Sequence, residues 1–139
     1  MRILGIDVGE RRIGLAISDP SATLARPLTT VVVSGATDAI ERVAGAIARL
    51  QAEDDGLDAI VVGMPARLDG SASAATARVA AFIDALKART PLAIATEDER
   101  LTSREAERKL AVNERDWRRR KKQLDAAAAA IILQEYLDR

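Results

Sequence analysis

The chain contains no cysteine and no histidine, and aromatic residues make up only 2% of its 139 residues. These absences exclude disulfides, thiolate nucleophiles and the usual zinc sites. Without histidine, Ser-His-Asp catalysis and histidine acid–base chemistry are excluded as well. Three aromatic residues are too few for base-stacking platforms. An enzyme of this composition must rely on carboxylates, Lys, Arg, hydroxyls and a hard metal ion, and carboxylates favour Mg²⁺ or Mn²⁺.

Long apolar runs are also missing. No run approaches the roughly 20 residues of a membrane-spanning helix, and the first predicted strand begins at residue 2 without the basic region and cleavage site of a signal peptide. We therefore expect a cytoplasmic protein that does not enter a membrane. The length suits one domain with a full hydrophobic core, so we expect a single domain over residues 1–139.

The charge is unevenly distributed, although the net charge is zero. Residues 100–122 contain ten Lys or Arg and four acids, a local charge of +6, so the remainder of the chain carries −6. Short basic runs are usually solvated surface. A run beside a catalytic acid, however, would hold a phosphate backbone. The densest run comprises Arg118, Arg119, Arg120, Lys121 and Lys122.

Hydrophobic periodicity predicts five strands and four helices. Asp38 and Glu41 form a capping pattern at the first helix, and Pro20 and Pro27 bracket the loop before the third strand. The expected strands cover residues 2–8, 12–19, 28–33, 59–63 and 92–96; the expected helices cover 38–52, 72–88, 102–111 and 124–137, with a polar surface loop over 113–122. The order βββαβαβαα predicts an α/β domain with a mixed five-stranded sheet, three antiparallel strands followed by parallel ones.

Acids occur at three points that such a sheet can bring together. Asp7 ends the first strand among apolar residues, where a carboxylate is costly unless paired or metal-bound. Asp98 and Glu99 follow the fifth strand, and Asp125 opens an alanine-rich helix that can lie close to the sheet. If strands one and five are parallel, their carboxyl ends share the edge where ligands bind. Three converging carboxylates would bind two cations roughly 3.5–4 Å apart, which suits phosphodiester hydrolysis.

Each acid also has an ordinary structural explanation. Asp7 would act as a turn former, and Glu99 would pair with Arg100 or begin a helix. Asp125 would be a helix N-terminal acid stabilised by the macrodipole. The metal site is favoured by the three acids together and by the lack of histidine.

Four ordered motifs carry a resemblance over essentially the whole chain. They are Gly5–Gly9 with Arg12–Pro20, Ile60–Pro65 with Leu68–Ser71, Asp98–Thr102 with Glu105–Glu107, and Lys122–Ala127 with Ile132–Leu137. In these motifs the chain resembles the YqgF (RuvX) family, Holliday junction resolvase-like proteins of the RNase H-like superfamily.

The resemblance implies an RNase H-like fold and a divalent-metal-dependent nuclease. The catalytic and metal-binding acids of the family would map onto Asp7, Glu99 and Asp125, with Asp98 as a neighbouring candidate, and the metal would be Mg²⁺ or Mn²⁺. Family members are assigned to maturation of the 5′ end of pre-16S ribosomal RNA, and some to resolution of branched DNA. Nucleic acid is therefore the expected partner, bound in part by Arg118–Lys122.

One departure from the family leaves the substrate open. The loop after Pro65 reads Ala66–Leu68 where the family usually has Leu-Asn-Met, and Ala72–Ala75 lacks an expected second glycine. A Holliday junction resolvase remains an alternative and would act as a dimer, since a symmetric junction needs two sites. Two further classes of protein stay open, a sugar-kinase or actin-like nucleotide-binding protein and a non-catalytic RNA-binding module. Monomer and homodimer both remain open.

Overall fold

A mixed five-stranded sheet lies at the centre of the protein, covered by helices on both faces. The computed structural model describes residues 1–65, 74–98 and 117–139, and for 117–123 only the path of the backbone. The elements are β1 Ile3–Val8, β2 Arg12–Ser18, β3 Ala25–Val32, α1 Ala36–Ala52, β4 Ala59–Met64, α2 Ala74–Lys87, β5 Ala93–Asp98 and α3 Trp117–Leu137. The expected helix over 102–111 lies outside the described residues.

The sheet has the predicted topology. Its strand order is β3-β2-β1-β4-β5. β1 pairs antiparallel with β2 and parallel with β4, and β5 is parallel to β4. The carboxyl ends of β1, β4 and β5 therefore meet at one edge of the sheet. β1 and β4 are buried along almost their whole length because helices cover both of their faces.

Among the described residues, two apolar clusters fill the space between the sheet and the helices. The larger one packs alternate side chains of β1, β2 and β4 against Val43, Ile47 and Leu50 of α1 and Phe82 and Leu86 of α2. The smaller one lies under α3. No helix in the described part of the chain is long and apolar enough to cross a membrane.

β3 and α1 begin earlier than predicted. Pro27 lies inside β3, not in the loop before it. Because β3 is an edge strand, the missing N–H of Pro27 is tolerated there, next to a register shift against β2. Asp38 does not open α1 but is its third residue, where it accepts a hydrogen bond from the Ser34 backbone nitrogen at 2.9 Å and pairs with Arg42.

The prediction for residues 113–122 is wrong from Trp117 onward, because α3 begins there and not at residue 124. Polarity excludes a buried segment but not an exposed helix, and Arg, Lys and Gln are good helix formers. β5 also runs two residues further than predicted, to Asp98. Both differences change which side chains lie near the carboxyl edge of the sheet.

Candidate active site

Asp7 lies on the face of the sheet that α3 covers. Alternate residues of a strand point to one face, and Ile3 packs in the smaller cluster with Ala129 and Leu133 of α3. Gly5 lies directly under this helix, since a Cβ added to it would come within 2.8 Å of the Leu133 Cβ. Asp7 continues this row towards the end of β1 and is half-buried.

Gly14 brings Asp125 next to Asp7. In the antiparallel pairing of β1 with β2, Gly14 directly opposes Asp7, and opposed residues have Cα atoms about 4.5–5.5 Å apart. A Cβ added to Gly14 would lie 1.9 Å from the carbonyl oxygen of Asp125 and 3.0 Å from the nitrogen of Ala126. Only glycine therefore allows the backbone of α3 to rest on β2 at this point, beside Asp7.

Asp125 lies in the interior of α3 and not at its beginning. The helix starts eight residues earlier, at Trp117, which is about 12 Å along the axis. The field of a helix terminus fades within the first turn, so the explanation of Asp125 as an N-terminal helix acid is wrong. Its side chain is 25% exposed and open enough to meet a ligand.

Arg12 is a site residue that the sequence analysis missed. It begins β2 on the same face as Gly14, and its Nε donates a hydrogen bond to Oδ2 of Asp125 at 2.7 Å. The pair lines a cavity of about 280 Å³ together with Gly9, Glu10 and Arg11. Arg12 lies two residues before Gly14, and alternate residues of a strand face the same side of the sheet. This spacing was the sequence feature that could have placed Arg12 on the face covered by α3.

The turn between β1 and β2 sets the position of Arg12. Gly9 donates its backbone N–H to the carbonyl oxygen of Arg12 at 2.9 Å. A Cβ on Gly9 would lie 2.5 Å from that same oxygen. The tight turn thus returns the chain beside the end of β1, so that Arg12 begins β2 on the same face of the sheet as Asp7.

Glu97 is the second residue near this edge that the sequence analysis did not single out, and it is an acid. It lies on β5, alternates with Ala95 of the smaller cluster, and is only 5% exposed. Its Oε1 accepts a hydrogen bond from Nη2 of Arg139, and this hydrogen bond and the carboxylate charge raise the pKa of Arg139. Among the residues that the structure describes, the other oxygen, Oε2, is buried and has no hydrogen-bond partner.

The sheet register puts Glu97 near the level of Asp7. Glu97 pairs with Gly63 of β4, and the preceding residue, Val62, pairs with Ile6 of β1. One residue further along each strand, Gly63 therefore stands between the two acids and contributes no side chain. Asp98, the candidate named from the sequence, falls on the opposite face by strand alternation.

The other predicted site residues are described only in part or not at all. Glu99, the third expected ligand, lies outside the described residues, as does Arg100. The basic run Arg118–Lys122 forms early turns of α3 and not a loop. It therefore precedes Asp125 on the same helix.

The donor atoms at this edge suit a hard divalent cation. Asp7 and Asp125 offer carboxylate oxygens, and the chain has no thiolate or imidazole to favour a softer metal. Oδ2 of Asp125 accepts a hydrogen bond from Arg12, whereas Oδ1 of Asp125 makes no hydrogen bond within the described residues. Within those residues, no group of three or more carboxylates could hold a metal ion.

Two solved structures show the same fold. The chain is similar to Thermus thermophilus RuvC at a TM-score of 0.56 and 17% identity, covering 99% of this chain and 94% of that one. Part of it also resembles an inorganic polyphosphate/ATP-glucomannokinase from Arthrobacter, at a TM-score of 0.50 and 21% identity, covering 76% of this chain and 47% of that one. At these identities the likeness extends to the fold alone.

Sequence relatives match over nearly the full length. A protein from Chloroflexus aggregans named "Putative pre-16S rRNA nuclease" is 46% identical over 136 residues, 98% of this chain and 92% of that protein. A protein of the same name from Desulforamulus reducens is 39% identical over 138 residues, 99% of this chain and 97% of that protein. The model of the family described as "RuvX: Holliday junction resolvase" matches residues 1–139. On these matches, the chain belongs to the RuvX family.

Proposed function

We propose that this chain is a divalent-metal-dependent nuclease that hydrolyses phosphodiester bonds during maturation of the 5′ end of pre-16S ribosomal RNA in the cytoplasm. The names of its full-length relatives support the substrate. One structural observation carries the chemistry: the backbone of Asp125 rests on Gly14, directly opposite Asp7. Two acids far apart in the sequence thereby meet at the edge of the sheet where α/β proteins bind ligands.

In this proposal Asp7, Glu99 and Asp125 hold Mg²⁺ or Mn²⁺. Such ions, when bound in a pair, activate a water molecule and neutralise charge on the leaving oxygen. The contribution of the protein is to hold these carboxylates in fixed positions. Asp7 is fixed by its pairing with Gly14 of β2 and by the pairing of the preceding residue, Ile6, with β4. Asp125 is fixed by a helix whose backbone rests on Gly14.

The basic run serves as the contact for the nucleic-acid backbone. Arg118–Lys122 precede Asp125 by three to seven residues on α3, which is about 5–10 Å along the helix axis. Positive charge this close to an acidic site offsets the repulsion between the acids and the phosphates. It also sets the register of the strand without reading its sequence.

The proposal is tested by Asp7→Asn, which removes a charge without changing the shape of the side chain. We expect cleavage of a pre-16S RNA 5′ precursor to fall at least about 100-fold. Mutation of a residue that only hydrogen-bonds a metal ligand can already lower activity by about 100-fold, so loss of a ligand itself should lower it at least as much. Wild type in EDTA should fall to the same background. Gel analysis of end-labelled precursor measures both.

Asp84→Asn is the matched control. It makes the same chemical change at an exposed position of α2, on the other side of the sheet. We expect it to cleave like wild type. Equal activity of Asp7→Asn and wild type, or full activity of wild type in EDTA, would contradict the proposal.

Resolution of branched DNA is the second candidate function. The description of the family model favours it. Cleavage of a synthetic four-way junction by a species that sediments as a dimer would support it, because a symmetric junction needs two sites. A monomer that cleaves the RNA precursor and not the junction would favour the ribosomal substrate.

A further inference from the structure

The ion pair between Arg12 and Asp125 joins the two segments that form the cavity. The Nε–Oδ2 distance is 2.7 Å, and the two side chains are 29% and 25% exposed. The residues are 113 positions apart in the sequence. The pair is therefore a tertiary contact that fixes the direction in which the Asp125 carboxylate points.

α3 does not depend on this pair for its place on the sheet. The α3 residues Ala129, Ile132 and Leu133 are completely buried on the side of the helix that faces the sheet. Gln134 adds two hydrogen bonds, accepting from the Ala25 nitrogen at 2.9 Å and donating to the Thr23 carbonyl at 3.0 Å. Because partly exposed ion pairs add little stability, the presence of Arg12 calls for another explanation.

The unused atoms of the pair suggest this explanation. Within the described part of the chain, Arg12 bonds through Nε alone, so both terminal nitrogens are free to donate. Asp125 likewise keeps Oδ1 without a hydrogen bond there. The carboxylate therefore has one oxygen held by the guanidinium and one available to a cation, and the guanidinium keeps two donor nitrogens on a residue that lines the cavity.

We propose that Arg12 is a positioning residue that couples cation binding to phosphate binding. It orients Asp125, lowers the affinity of that carboxylate for a divalent cation in the absence of substrate, and donates its terminal nitrogens to a phosphate oxygen of the bound strand. An anionic phosphate then relieves the repulsion between Arg12 and the cation. This inference rests on the proposed nuclease site, but its test does not require cleavage.

The test uses two binding measurements with opposite expected signs. Arg12→Gln removes the charge and keeps a polar side chain, whereas Arg12→Lys keeps the charge and loses the fork of donors. We expect Arg12→Gln to bind Mn²⁺ roughly three- to tenfold more tightly than wild type at low salt. Arg12→Lys should stay within about twofold of wild type. Electron paramagnetic resonance of free Mn²⁺ measures the affinity without nucleic acid.

The second measurement is binding of a labelled pre-16S 5′ RNA segment in EDTA. Arg12→Gln should weaken it roughly tenfold through loss of a charged hydrogen bond, and anisotropy reports the change. A purely structural role of Arg12 would weaken both the metal and the RNA. The Mn²⁺ difference should also shrink at 1 M salt, where the Debye length is only about 3 Å.

Arg42→Gln is the matched control, since Arg42 also pairs with an aspartate, Asp38, but on the solvent-facing side of α1. It should leave both affinities unchanged. One outcome overturns the inference and leaves the proposed function standing. In that outcome, wild type binds Mn²⁺ in a way that requires Asp7, and Arg12→Gln binds Mn²⁺ no more tightly than wild type. Tighter Mn²⁺ and weaker RNA binding without cleavage by wild type supports the inference and overturns the proposed activity. Absence of Mn²⁺ binding in wild type overturns both.

Discussion

The face of the sheet under α1 and α2 and the face under α3 are built from different residues. On the first face the strands carry large aliphatic side chains, eight of which are buried: Leu4, Ile6, Val8, Ile13, Leu15, Ile17, Ile60 and Val62. On the second, the corresponding strand positions hold glycine, alanine and few larger residues. Large side chains keep a helix at a distance, whereas small ones let its backbone touch the sheet.

The difference assigns separate tasks to the two faces. Burial of large aliphatic groups stabilises the fold by about 25 cal/mol per Å² of apolar area, and the first face supplies most of that area. The second face buries less apolar area, because Gly5 and Gly14 have no side chains. For the same reason, the α3 backbone comes close enough to the sheet for Asp125 to lie beside Asp7. Changes on the two faces should therefore affect stability and activity in different proportions.

Gly14→Ala should have the largest effect. Its new Cβ would lie 1.9 Å from the Asp125 carbonyl oxygen, and because this atom belongs to the backbone, α3 itself must move. We expect a loss of at least about 3 kcal/mol, the upper range for overpacking, together with loss of cleavage. Urea unfolding and the RNA cleavage assay measure the two effects.

Gly45→Ala is the control for the same substitution in α1. Its nearest neighbouring atom would be 3.6 Å away, at Nη1 of Arg49. Alanine should stabilise the helix interior by roughly 0.5–1 kcal/mol and leave cleavage unchanged. If Gly14→Ala were as stable and active as wild type, close approach of α3 would not be needed.

Val61 and Val62 allow a finer comparison, because they are neighbours on β4, are both fully buried, and face opposite sides. Replacement of either by alanine should cost roughly 1.5–3 kcal/mol. Only Val61→Ala loosens the packing under α3, so it alone should lower kcat, by at least about threefold, since displacements near 1 Å are costly in catalysis. Denaturation and single-turnover cleavage by folded protein separate the effects, and an equal loss of kcat in both variants would show that the faces are not separate.

Local patterns were sufficient to predict most of the fold. Apolar runs predicted β1 and β4 to within a residue at each end, and helical spacing predicted α1, because in each case burial depends on neighbouring residues. The start of α3 at Trp117 was missed because an exposed polar helix has no apolar stripe to mark it. The extent of β5 was missed because Glu97 and Asp98 are polar although they continue a parallel strand.

The site depended on pairings that local patterns do not contain. Asp7 and Asp125 were named from the sequence, and the structure brings them together across Gly14. Arg12 and Glu97 were missed because their partners, Asp125 and Arg139, lie 113 and 42 residues away. Only the register of the strands and the position of α3 make these pairs visible. The metal-binding role of the acids stays a prediction.

The smallest expected effect concerns the turn that anchors α3 to the sheet. In this turn, Asp19 accepts hydrogen bonds from the Ser21 hydroxyl and from the backbone nitrogens of Thr23 and Leu24. These hydrogen bonds lower the pKa of Asp19 from 3.8 to about 2. Gln134 of α3 bonds to the same segment at the Thr23 carbonyl.

Because the pKa of Asp19 is lower in the folded than in the unfolded protein, its contribution to stability is complete above about pH 5 and is mostly lost as the pH falls through 3.8 to about 2. Asp19→Asn should therefore be less stable than wild type at neutral pH, and its stability should fall less between pH 4 and pH 2. Thermal unfolding across this range, with Asp84→Asn on the opposite side of the sheet as control, measures the difference. Parallel pH curves for wild type and Asp19→Asn would mean that the turn does not depend on this carboxylate, and that apolar contacts alone hold α3 on its face.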